Sequence, residues 1–107
     1  MPSIKFSHDW SKLECPEGSL FTTIRPYTSA NPDSDKAAYY ESLEGEILDI
    51  EVNGSVKFRA ELLQVFRGSG KSLSGPFLRY DTDGDSQWME RVGGYHNCLV
   101  LLFRRVR

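Results

Sequence analysis

At 107 residues the chain is long enough for one hydrophobic core and too short for two. A hydrophobic share of 39% with 26% charged residues excludes a disordered chain, and a net charge of −2 excludes a general electrostatic grip on duplex nucleic acid. One domain spanning residues 1–107 is therefore expected.

The first element in chain order is a short strand, Ser3 to Phe6, with Ile4 and Phe6 on one face by the two-residue period. Within Ser7 to Glu14 one helical turn is expected, and Pro16 with Gly18 marks the turn behind it. Leu20 to Pro26 is rich in β-branched and aromatic residues and reads as a strand that Pro26 ends. Alternation puts Phe21, Thr23 and Arg25 on one face and Leu20, Thr22 and Ile24 on the other, which is the more apolar of the two.

A polar stretch follows, in which Ser34 or Asp35 would cap a helix through Lys36 to Glu44, closed by Gly45. Asn53-Gly54 stands between two alternating runs. That pair supplies the positive φ angles of a two-residue hairpin turn, and imperfect alternation predicts a bulge in the first strand. Residues 68–75 are small and read as a flexible loop. A short helix is expected from Ser86 to Val92, ended by Gly93-Gly94, and then a central, doubly buried strand in "CLVLLFRRV".

Five to six short strands with one or two brief helices give a mainly β (α+β) fold, a small and mostly antiparallel barrel or curled sheet. Cys15 and Cys98 fit no zinc spacing, so neither metal nor cofactor is expected. The sequence shows no secretory signal pattern, and its longest apolar run is too short to span a bilayer. A cytoplasmic protein with reduced thiols and no membrane partner is the expectation.

The segment "GSLFTTIRPY", followed by an acidic helix and "GEILDIEV", resembles the ASCH domain, a member of the PUA-like barrels. The family signature has the form G-x-K-x-x-[TE]-x-R. Gly18, Thr23 and Arg25 match it, and Leu20 stands where the lysine should be. The resemblance implies a PUA-like β-barrel that binds RNA or a nucleotide in a cleft beside the motif strand. Some ASCH proteins are similar to amidohydrolases that deacetylate N4-acetylcytidine with the motif lysine, the threonine and a later glutamate. Leucine at position 20 cannot transfer a proton, which leaves catalysis an open question.

On that reading Arg25 and Lys71 supply positive charge, Thr22 or Thr23 a hydroxyl, and Trp88 a stacking surface, with Glu90 as the candidate acid. Arg25→Ala would then weaken binding with the fold intact. The alternative for Arg25 is a pairing with Glu46 or Glu51 on a neighbouring strand. A second functional expectation is hydrolysis of an acylated nucleoside, and a third is a barrel that docks a protein partner through its acidic helix or a strand edge.

Two further patterns fail their templates. Counted from Asp81, a calcium loop would need glycine and glutamate where Ser86 and Val92 stand, so an Asp-Gly turn is expected. "FRGSGKS" has Phe66 where a phosphate loop needs its first glycine. His8 and His96 have no nucleophile or acid pair nearby in sequence, and no catalytic role is assigned to them.

Overall fold

Residues 2–27 and 36–106 are described in the computed structural model of the protein. Five strands form one curled sheet: β1 (Ser3–Phe6), β2 (Leu20–Pro26), β3 (Ile47–Val52), β4 (Ser55–Gly68) and β5 (Cys98–Arg105). Their spatial order is β1-β3-β4-β5-β2, with β1 parallel to β3 and every other pair antiparallel. Among the described residues three short helices accompany them, α1 (Lys36–Glu41), α2 (Gly75–Asp81) and α3 (Ser86–Gly93), with 3₁₀ turns at Ser11–Glu14 and Gly70–Ser72. The mainly β, barrel-like architecture expected from the pattern is present, with one more helix than predicted. The caps expected at Ser34 or Asp35 lie outside the described residues.

The curl originates in β4. Between Ile50 and Glu51 of β3 the partner register on β4 jumps from Phe58 to Val56, so Lys57 is an extra residue. Against β5 it jumps from Leu62 to Gln64, making Leu63 a second one. Each insertion bends and twists a strand locally. The second also shifts the buried positions from Phe58, Ala60 and Leu62 to Val65. The bulge expected in the first hairpin strand thus belongs to the second. The turn itself is as predicted, with φ of 51° at Asn53 and 86° at Gly54.

Inside the curl, Phe21 stacks on Phe103 at 5.2 Å and meets Phe58 edge-on at 5.6 Å, together with Ile4, Leu48, Ile50, Leu62 and Leu101. The Phe21, Thr23 and Arg25 face is the one that looks inward, in register with Phe103, Leu101 and Leu99 of β5. The more apolar face of the strand is thus not the one that fills the curl. Leu20, on the more apolar face, is 57% exposed. Ile24, on the same outer face, is buried under a second cluster with Val92, Cys98, Leu73 and Phe77. Tertiary packing of α2 and α3 decides which face is covered, and strand composition alone does not.

Between β4 and β5 the chain is more structured than its glycine and serine content predicts. Gly70 N donates to the Tyr95 carbonyl at 2.8 Å. Ser74 caps α2 by accepting from Phe77 N at 3.3 Å, with Pro76 in the first turn, and Asp85 caps α3 by accepting from Trp88 N at 3.1 Å. Helix α2 was not predicted because "GPFLRYD" lacks a clean helical period.

Candidate ligand-binding cavity

The two edge strands, β1 and β2, approach each other across the open side of the sheet without pairing. A side chain bridges them instead. Arg25 of β2 donates through Nη2 to the Lys5 carbonyl of β1 at 2.8 Å, and its guanidinium lies 4.6 Å from the centre of the Phe6 ring. At this seam the inward face of β2 passes from core to an open cavity of about 460 Å³, lined by Thr23, Arg25 and Phe6 among others.

One wall is aromatic. Trp88, on the first turns of α3, meets Trp10 edge-on at 5.7 Å and His8 at 5.2 Å, and His8 and Trp10 are 4.9 Å apart. Arg91 lies over the Trp88 ring at 4.5 Å. The floor is ionic. Lys12, carried inward by the first 3₁₀ turn, places Nζ 2.5 Å from Oδ1 of Asp81 at the end of α2, and the two side chains are 1% and 7% exposed. That 3₁₀ turn is pinned to the α2–α3 connection, where Asp83 accepts from Ser11 N at 2.9 Å.

Burial lowers the Lys12 ammonium below its ordinary value; the Asp81 carboxylate opposes this and the nearby Arg25 charge adds to it. The Arg25 guanidinium is lowered as well, again chiefly by burial. Tyr95, also on the cavity, is raised by burial. Arg25 Nε is buried with no hydrogen-bond partner among the described residues. Cations are thus held in a partly desolvated hollow where an added polar or anionic group would gain more than in water.

Of the residues singled out from sequence, Thr23, Arg25 and Trp88 meet on this cavity. Thr22, Lys71 and Glu90 are not among its lining residues. Thr22 lies on the outer face of β2, its hydroxyl buried without a partner among the described residues. Lys71 is exposed on the second 3₁₀ turn, and Glu90 is exposed on α3. The pairing of Arg25 with Glu46 or Glu51 does not occur; its acceptor is a backbone carbonyl. Lys12, Asp81 and His8 were missed. A lysine in a polar turn and an aspartate in an acidic run carry no periodic signal, and only their shared burial identifies them.

The chain matches no known family model, no curated protein and no solved structure. Among the described residues no group of three or more His, Cys, Asp and Glu side chains could hold a metal ion. No helix among them is long and apolar enough to cross a membrane.

Proposed function

We propose that the protein is an ASCH-like, PUA-like domain that binds a nucleotide, nucleoside or RNA base in the cavity at the β1–β2 seam. The observation that carries this reading is the convergence of Thr23, Arg25 and Trp88, separated in sequence, on one hollow with Trp10 and His8. An aromatic wall offers a stacking face to a base, and a guanidinium with unused donors offers paired hydrogen bonds to a phosphate or a base edge. The volume of about 460 Å³ falls within the range usual for small-molecule sites, roughly 300–1,000 Å³.

Both tryptophans of the chain line this cavity, so intrinsic fluorescence reports on it directly. Titration with nucleosides, nucleotides and a short single-stranded RNA should give a saturable change that Trp88→Ala weakens at least about tenfold, stacking on an aromatic side chain contributing about 1–3 kcal/mol per base. A flat titration with every one of these compounds would dismiss the reading.

A second reading, hydrolysis of an acylated nucleoside such as N4-acetylcytidine, is favoured by one observation. Thr23 shares the cavity with a buried lysine whose proton affinity is reduced and with a carboxylate against it. Lys12 would then do from the 3₁₀ turn what Leu20 cannot do from the motif strand: with its ammonium proton passed to the Asp81 carboxylate, the free amine accepts a proton while a hydroxyl or water attacks the acyl carbon. Chromatography of N4-acetylcytidine after incubation with the protein decides it, since absence of released cytidine removes the hydrolase.

A further inference from the structure

We propose that the ligand of this cavity is a free mononucleotide, one base bearing one phosphate group, and not a segment of RNA. This rests on the nucleotide reading above and narrows it.

The first argument is the distribution of charge. Three cations line the cavity, Lys5, Lys12 and Arg25, against one carboxylate, Asp81. Asp81 is bound to Lys12 and is the carboxylate whose charge Arg25 also feels. The hydrogen bond that Arg25 makes goes to a neutral carbonyl. A half-buried guanidinium with no carboxylate of its own among the described residues is an unbalanced charge, which a phosphate would balance through paired N–H donors. Lys5, exposed at the rim, adds a second cation on the side of β1.

The second argument is what surrounds the opening. An RNA chain needs cations along its path for the phosphates that flank the bound base. Among the described residues four exposed or part-exposed cations are held in ion pairs and do not line the cavity: Lys57 pairs with Asp9 and Glu14, Arg59 with Asp49, Arg67 with Glu41 and Arg104 with Glu61. Lys71 and Arg79 do not line the cavity. With a net charge of −2, the cations placed at the cavity are Lys5, Arg25, the paired Lys12 and Arg91 over the Trp88 ring, a set suited to one phosphate and not to the run of phosphates along a strand.

The test is tryptophan fluorescence titration of the full chain with four probes: nucleoside 5′-monophosphates, the matching nucleosides, inorganic phosphate, and a short single-stranded oligoribonucleotide. The monophosphate should bind at least about tenfold more tightly than the nucleoside or phosphate alone, a difference of about 1.4 kcal/mol. Its affinity should fall with salt with a logarithmic slope near one, and the oligonucleotide should gain nothing over the monophosphate. Arg25→Lys should remove most of the preference for the monophosphate, and Lys5→Gln, at an exposed position, should reduce it a few-fold without moving the melting temperature. Equal affinity for nucleoside and monophosphate would overturn the proposal and leave nucleoside binding standing. Tighter binding of the oligonucleotide with a slope of several charges would replace it with RNA binding. No saturable change with any probe would remove the nucleotide reading itself, and this one with it.

Discussion

Lys12 Nζ lies 2.5 Å from Asp81 Oδ1, an ion pair that joins positions 69 residues apart in sequence and is shielded from solvent on both sides. It ties the first 3₁₀ turn to the end of α2 and so fixes two walls of the cavity relative to each other. Breaking such a pair by removing one partner leaves a buried charge uncompensated, whereas removing both replaces it with apolar contact.

Lys12→Met should therefore lower the unfolding free energy by about 3–5 kcal/mol, and the double variant Lys12→Met with Asp81→Leu should recover much of that loss. Urea denaturation of the three proteins measures it. A single variant within about 0.5 kcal/mol of the parent, the range of ordinary surface substitutions, would mean that water already screens the pair.

Arg25→Ala should cost stability as well as binding, contrary to the expectation from sequence that the fold would be indifferent. The side chain makes the charged hydrogen bond to the Lys5 carbonyl and covers Phe6, so the seam loses about 1.5–3 kcal/mol. Thermal unfolding reads the change, and an unaltered transition would show that the edge strands hold their places without it.

Cys98 is fully buried, and burial followed by the Asp81 charge holds its thiol above the ordinary value of 9.0. Because the folded value is the higher one, this contribution to stability is intact below pH 9.0 and is lost as pH rises from there through the folded value, the unfolded chain releasing its proton first. Tyr80 and Tyr95, both raised by burial, act in the same sense from pH 10.0 upward. Cys98→Ala should lower stability overall while making its decline above pH 9 shallower. Parallel slopes for parent and variant would refute the assignment.

Gly70 packs against the end of α3 so closely that a Cβ there would lie 2.3 Å from the Val92 carbonyl oxygen. Backbone cannot yield as a flexible side chain does, so Gly70→Ala should cost about 1–3 kcal/mol. It should also shift tryptophan emission, because α3 carries Trp88. Gly75→Ala, with nothing within 4 Å, is the control and should leave both unchanged.

Much of the framework was legible because its signals are local. Alternation marked β1, β2 and the hairpin strands; Asn53-Gly54 marked the turn; the glycine pair after Val92 marked the end of α3. Helix α2 escaped because a proline stands second among its seven residues and they show no period, and the 3₁₀ turn at Gly70–Ser72 escaped because small residues look alike in loops and in close-packed turns. Of the site, Thr23, Arg25 and Trp88 were recognisable as polar or aromatic residues in extended or helical context. Nothing nearby in sequence marked Lys12 and Asp81 as partners.

The order of residues by itself determined where the strands and turns fall, since backbone preference and side-chain period act over a few positions at a time. Only the tertiary structure decided that Phe21, Thr23 and Arg25 face inward, that β1 and β2 stop short of pairing, and that a lysine and an aspartate from distant turns share a buried hollow. Those outcomes follow from the two extra residues in β4 and from the helices laid over β2 and β5, and curvature and coverage are properties of the assembled sheet that no single segment encodes.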